Sequence, residues 1–410
     1  MPFIAKHILE KCEHCNACID LVACPGAEEN ICIGCGACTL LCPNEALILI
    51  ESKRKNKINM EIDGKKVFVS EKISIKETLS GIGYAITDLP KEPEELSESE
   101  IFAPCGVGAC SSCSVEVDGV MKPACVTMIR EGMKVITAPS SNYMPKRIVC
   151  GFVGHPSGGV GTPWHLRKDP KKAIEIVCYT AGCNFQCPQC QNWHVAFRGR
   201  DDFLTPNEAA RKMLLTNKKY PDVSRFTVSG GESTLNRVWL ITFLQKLGRL
   251  YKNKNVGLHV DTNGSLLTEN YIDELVSSGM TDIGIDLKAL STDTFMFITG
   301  LKDKEKAEKY KKIAWNAVKY LSKHYKSKVF TGIGIPYNKD LISIEEVKDM
   351  GKKLFEIDPC LQIAVNDYQP AFRRKIKKTT YDDMKEVYSV LKEIGLETVV
   401  CQSPDGFICP

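Results

Sequence analysis

Through the C-terminal half of the chain, short apolar runs of strand length alternate with longer stretches that are apolar at every third or fourth position. The runs at 173–179, 225–229, 256–261, 282–287, 328–336 and 361–367 are six strand candidates. Helical periodicity follows most of them, at 236–251, 305–323, 344–355 and 381–394. Strands separated by amphipathic helices predict an α/β fold, a parallel sheet curled into a partial (βα)6 barrel over 173–410. Functional residues then belong at the C-terminal ends of the strands. The N-terminal part reads differently. Residues 1–52 hold cysteines in place of periodicity and are followed by the charged run Lys53-Arg54-Lys55-Asn56-Lys57, a solvated linker. Residues 58–140 give a hairpin turning at Gly64, a short helix near 75–84, an acidic loop, a cysteine loop and closing strands around VEVDG and KVITA, a second small α+β unit. A connector rich in glycine and proline, 141–172, precedes the barrel.

Composition narrows the class. At 410 residues the chain exceeds what one core usually serves, so several domains are expected. No apolar run approaches the roughly 18 to 20 residues that span a bilayer, and no leader pattern fits before the first cysteines. The expectation is a cytoplasmic protein without a membrane partner. A net charge of +4 from 54 basic and 50 acidic residues gives no strong field for nucleic acid, which leaves a protein or small-molecule partner. Cysteine is the outlier: 20 residues crowded into C-x2-C spacings, which inside a cell bind metal rather than form disulfides.

Cys12, Cys15 and Cys18 stand as C-x2-C-x2-C with Cys24 after five residues, and Cys32, Cys35 and Cys38 repeat the triplet with Cys42 after three. A triplet wraps three corners of a [4Fe–4S] cube while the distant Cys-Pro cysteine reaches the other cube. The sets are then Cys12, Cys15, Cys18, Cys42 and Cys32, Cys35, Cys38, Cys24. Zinc, which takes two separated pairs, is the competing reading. The stretch resembles bacterial two-cluster ferredoxins, with a longer gap before Cys24. Cys105, Cys110, Cys113 and Cys125 follow as C-x4-C-x2-C and a fourth cysteine eleven residues on, the plant-type [2Fe–2S] spacing. Small residues between them, Gly106, Gly108, Ala109, Ser111 and Ser112, permit a tight loop whose N–H groups face the cluster sulfurs. This unit resembles the β-grasp ferredoxin domains of succinate dehydrogenase and xanthine oxidoreductase type enzymes.

After the first barrel strand, Cys183, Cys187 and Cys190 are spaced C-x3-C-x2-C with no fourth ligand nearby. Three cysteines leave one iron of a [4Fe–4S] cluster open to chelation by an amine and a carboxylate. Gly230-Gly231-Glu232 closes the second strand, Asp261-Thr262-Asn263-Gly264 the third and Asp286-Leu287-Lys288 the fourth. Glycine lets a ligand approach the backbone, and Glu232 is placed to accept from an ammonium.

With these motifs, residues 174–400 resemble radical S-adenosylmethionine (SAM) enzymes, and among them pyruvate formate-lyase activating enzymes. The resemblance implies that SAM binds the open iron and that Gly230, Gly231, Glu232, Asp261, Thr262, Asn263, Asp286 and Lys288 surround it. It also implies a monovalent cation near Asp261, Thr262, Asp286 and the carbonyls of Gly284 and Lys288. The chain departs in Gln189, where the family carries an aromatic residue, and in Ser233, where it carries proline. The implied chemistry is reductive cleavage of SAM to a 5′-deoxyadenosyl radical that takes a hydrogen atom from substrate. Electrons would come from an external low-potential donor through three [4Fe–4S] clusters and one [2Fe–2S] cluster, in an oxygen-sensitive enzyme. The expected activity is that of an activase or modifier of a partner protein. A small-molecule enzyme and a pure electron carrier are the alternatives. Trp193 and His194 line either the SAM pocket or the core, and Asp367, Tyr368, Arg373 and Arg374 sit where substrate contacts belong. Cys401 and Cys409 are candidate auxiliary ligands, while Cys178 reads as core.

Overall fold

The computed structural model describes residues 2–26, 31–92, 95, 97, 99–138, 143–167, 173–220, 222–251 and 255–410. Parts of the expected acidic loop (93, 94, 96 and 98) and connector (141, 142 and 168–172) lie outside them. The chain divides into two compact units. The first is Met1–Cys150 with Thr180–Asn184 and Asn192–Thr205, and the second is Gly151–Tyr179, Phe185–Gln191 and Pro206–Pro410. Of the SAM-type triplet, Cys183 falls in the first and Cys187 and Cys190 in the second.

In the first unit, β1 (Phe3–His7) and β2 (Leu47–Glu51) pair antiparallel and bracket two short helices, α1 (Ala17–Asp20) and α2 (Ala37–Leu41). The two triplets lead into these helices through Asn16 and Gly36, both left-handed, so each C-x2-C-x2-C wraps a corner. The expected hairpin is β3 (Lys57–Ile62) and β4 (Lys65–Ser70), turned by Asp63 and Gly64 at φ 49 and 76, the double positive φ that matches strand twist. Helix α3 (Ile75–Gly81) starts at a capping box in which Ser74 and Glu77 bond reciprocally. A short parallel pair, β5 (Ala85–Thr87) and β6 (Glu100–Phe102), precedes the main sheet's β7 (Ser114–Val117), β8 (Val120–Pro123) and β9 (Lys134–Ile136). That sheet runs in the order β4-β3-β9-β7-β8. Ile62, Ile75, Leu79, Val115 and Val135 form its core together with Cys113 and Cys125, so the cysteine loop is anchored in packed apolar side chains.

The connector holds a ten-residue strand, β10 (Arg147–Pro156), which the Gly/Pro-rich composition did not announce. In the second unit β11 (Ile174–Thr180) follows β10 in a single sheet. The chain then passes through β12 (Phe203–Leu204), which pairs with Arg147 and Ile148 within the first unit. The sheet continues through β13 (Val223–Gly230), β14 (Gly257–Thr262), β15 (Asp282–Asp286), β16 (Phe330–Tyr337), β17 (Gln362–Asp367), β18 (Thr398–Ser403) and β19 (Gly406–Ile408), neighbours in that order. From β13 to β18 each neighbouring pair is parallel, and β19 turns back antiparallel. All six expected strands are present, and β18 and β19 extend the row. Among the described residues no pairing closes this row on itself.

The helices form between the strands where the periodicity placed them: α4 (Arg237–Leu250), α5 (Lys304–His324), α6 (Ile344–Ile357) and α7 (Tyr381–Glu393). Side-chain caps begin them, Asn236, Asp303, Ser343 and Thr380, each accepting from an N–H of the first turn. Apolar strand residues such as Val260, Ile283 and Ile285 are wholly buried. On the opposite face of the same strands stand polar residues and glycines: Arg225, Thr227, His259, Asp261, Asp282, Gly284 and Asp286.

Candidate functional site

The thiols gather in the groups their spacing implied. Cys18 has Cys42, Cys15 and Cys12 as its sulfur neighbours, and burial together with their charge raises its pKa. The same four line one small cavity with His7, His14 and Asn44. Cys38 is pushed up to about 12 by burial first and then by Cys35, Cys32, Cys24 and Cys18. Backbone N–H groups already point at sulfur: Ala5 to Cys32 at 3.2 Å and Ala46 to Cys42 at 3.3 Å. Cys105, Cys110, Cys113 and Cys125 are all buried. Their thiols hydrogen-bond one another, Cys105 with Cys110 and Cys125, and Cys113 with Cys125. These bonds hold Cys105 and Cys113 below the ordinary thiol value and Cys110 and Cys125 well above it. Val107 and Cys110 aim their N–H groups at Cys105, as the glycine-rich loop predicts. Four convergent, buried thiols fit an iron–sulfur cluster. Among the described residues no three His, Cys, Asp or Glu side chains are grouped for a single metal ion.

Gly199, just beyond the SAM-type triplet, donates its N–H to Leu21 at 2.8 Å, and a methyl group there would stand 2.5 Å from the Val107 carbonyl. Only glycine lets this segment pass between the loop leading to Cys24 and the loop of Cys105.

In the second unit the cysteine loop is held from three sides. Phe185 packs edge-on against Phe295 and Tyr310 at 5.5 and 5.7 Å. Gln186 and Gln189 bond the carbonyls of Thr299 and Ile298 at the end of the helix Thr292–Thr299, and Pro188 accepts from the N–H groups of Arg373 and Arg374. The Arg374 guanidinium lies 3.9 Å over Phe297. Gln189 is 1% exposed, and its Oε1 and one Arg374 nitrogen, Nη1, are buried with no hydrogen-bond partner among the described residues. Orphaned polar atoms beside Cys187 and Cys190 fit a loop shaped for a polar ligand.

The strand-end motifs converge, with one difference from expectation. Glu232 is buried, and its carboxylate is engaged by the chain itself: Oε1 accepts from Thr234 N, Thr234 Oγ1 and Thr262 Oγ1, and Oε2 from Asn263 N at 2.7 Å. Burial raises its pKa against the pull of these bonds. Glu232 therefore ties the ends of β13 and β14 together. Asp261 accepts from His259 Nε2 at 2.7 Å; burial would raise its pKa, but His259, Arg225 and Ser229 hold it below the usual carboxylate value. Lys288 bonds Asp286 and the Tyr368 hydroxyl, both at 3.0 Å. Burial would lower its pKa, but Asp286, Tyr368 and Cys187 keep it well above the ordinary lysine value. A fixed ammonium thus lies beside Cys187, whose own thiol is raised by burial and drawn down by Lys288.

Other singled-out residues are placed as follows. Asp367 is bonded by Gln369, and Trp193 and His194 stack edge-on at 6.0 Å. Cys178 and Cys401 are buried and Cys409 is exposed. Arg225 escaped the sequence reading. Its only signal there is a charge inside an apolar strand, yet it is 1% exposed and bonds Glu175, Asp282, Thr162 and Gly161.

Residues 177–351 match the family model of the radical SAM superfamily, 55–140 that of the 2Fe-2S iron-sulfur cluster binding domain and 28–48 that of the 4Fe-4S binding domain. The chain carries a radical SAM domain together with ferredoxin-type [2Fe–2S] and [4Fe–4S] domains, which indicates iron–sulfur clusters and SAM. It is similar to a protein named probable GTP 3′,8-cyclase from Saccharolobus solfataricus, 24% identical over 55% of this chain and 66% of that one. A GTP 3′,8-cyclase from Trichodesmium erythraeum is 31% identical over 33% of this chain and 39% of that one. The chain thus spans less than two thirds of these relatives' length. Streptococcus suis SuiB bound to S-adenosylmethionine overlaps 56% of this chain and 51% of its own at 16% identity, with a TM-score of 0.41. Among the described residues no helix is long and apolar enough to cross a membrane.

Proposed function

We propose that the chain is a radical SAM enzyme that cleaves SAM reductively and abstracts a hydrogen atom from an organic substrate. The observation that carries this is the C-x3-C-x2-C triplet Cys183, Cys187, Cys190 inside the matched radical SAM domain. Three [4Fe–4S] clusters and one [2Fe–2S] cluster, on the cysteine sets given above, would supply and relay single electrons. The chain's own part is to hold Cys187 against a fixed positive charge at Lys288, to tie the strand ends through Glu232, and to present Asp261 and Asp286 toward the ligand. The Gly199 segment, touching both ferredoxin loops, supports a relay built into the chain. A monovalent cation beside Asp261 and Asp286 belongs to the same reading, although Lys288 already neutralises Asp286. Between substrate classes, the names of the GTP 3′,8-cyclase relatives favour a small molecule over the polypeptide that the activase resemblance implied. The test of class is which addition, a nucleotide or a glycyl-radical polypeptide, raises 5′-deoxyadenosine formation in the reduced enzyme above its substrate-free rate. Stimulation by polypeptide alone would restore the activase reading.

A further inference from the structure

The glycine-rich connector is not a tether. Residues 157–164 lie on the polar face of the sheet and are bonded strand by strand. Ser157 N–H donates to Ala173 at 2.8 Å and Gly158 N–H to Glu175 on β11 at 3.2 Å. The Gly161 carbonyl and the Thr162 hydroxyl accept from Arg225 on β13 at 2.7 and 2.8 Å. Gln362 on β17 donates to the Thr162 carbonyl and accepts from Trp164 N–H, at 2.7 and 2.8 Å. The sheet is carved to receive this segment. A methyl group on Gly284 would come within 2.7 Å of Gly161 N, one on Gly332 would overlap the Val160 carbonyl, and one on Gly334 would reach Val160 Cγ2 at 2.8 Å. Gly161 itself sits against the His259 ring and 2.6 Å from Gly284 N by the same measure.

The root of the segment is buried and its tip is not. Gly161 and Thr162 are closed off, whereas Gly159 and Val160 are half-buried. They stand level with Asp261 and Asp286, which keep 27% and 34% of their side-chain surface open. A methyl group on Gly159 would stand 3.4 Å from Asp261 Oδ2, and one on Gly334 would meet both Val160 and Asp286, whose other oxygen accepts from Lys288, the neighbour of Cys187. We infer that residues 157–164 are a built-in plug whose tip, Gly159–Val160, forms the floor of the SAM-binding space and sets how deeply a ligand enters. Val160 is thus a positioning residue. This rests on the radical SAM reading above.

The test uses the reconstituted full chain and its Val160→Ala and Val160→Phe variants, with SAM affinity measured by anaerobic calorimetry and iron content and thermal midpoint as controls. A phenyl ring is too large for the hollow over Gly334 that the valine fills and must turn out into the ligand space, so Val160→Phe should weaken SAM binding about ten- to hundredfold. Val160→Ala, which removes bulk, should bind within about threefold of wild type and shows that a substitution at the tip leaves the site intact. SAM binding unchanged in Val160→Phe, with wild type binding normally, would overturn the floor. Absence of SAM binding in wild type would instead sink the radical SAM reading, and the floor with it.

Discussion

Arg225 shows how much of the second unit's integrity rests on one side chain. Its guanidinium neutralises Glu175 and Asp282, which are 2% and 8% exposed, and also holds the connector at Gly161 and Thr162. Replacing it with methionine leaves two carboxylates buried without their cation, so Arg225→Met should cost about 3–5 kcal/mol in denaturant unfolding. Glu175 supplies the pH signature of the same network. Burial would raise its pKa, but Arg225, Thr227 and His259 hold it below the ordinary carboxylate value. A depressed folded-state value stabilises fully above the unfolded value, and that stabilisation is lost as pH falls through the folded one. The stability gap between wild type and Glu175→Gln should therefore be constant near neutrality and narrow below about pH 4.5. A gap that widens on acidification would contradict the assignment.

At the scale of elements, the connector separates what pattern reveals from what it hides. Strands and helices were legible because apolar periodicity acts locally, as does the glycine that turns the hairpin at Gly64. The connector read as a linker because glycine and proline break regular structure, and here they do so to let a backbone lie flat against a sheet. Its imprint was nonetheless in the sequence. Gly332 and Gly334 alternate on one face of β16 and Gly284 sits beside them on β15, a run of missing side chains that only a second backbone fills. Strand β18 has no counterpart among the six expected strands because its apolar signal, Val399-Val400-Cys401, is short and lies close behind the helix Tyr381–Glu393. The site divides the same way. Cysteine spacing fixed the thiol groups, whereas the engagement of Glu232 by Thr234, Thr262 and Asn263 depends on strand ends that meet only in the fold. Two glycines three apart test the element directly. Gly161→Ala drives a methyl group into the His259 ring and Gly284, so it should cost about 1–3 kcal/mol. Gly158→Ala meets its nearest atom at 3.7 Å and should be neutral within about 0.5 kcal/mol in the same melt.

Taken as a whole, the chain joins ferredoxin-type [2Fe–2S] and [4Fe–4S] domains to a radical SAM domain. The modules should be separable by their ligands. Cys125→Ser should lose the visible absorption and rhombic signal of a [2Fe–2S] centre and about two irons per chain, while the [4Fe–4S] signals persist. Loss of all signals together would mean that the Cys105 loop holds no independent cluster.

The most direct measurement is 5′-deoxyadenosine formation by the reconstituted, anaerobically reduced chain supplied with SAM, beside the Cys183/Cys187/Cys190→Ala triple variant. The account predicts product from the wild type and none from the variant, whose remaining clusters still reduce. No product from wild type with fully reducible clusters, or equal product from both, would contradict it.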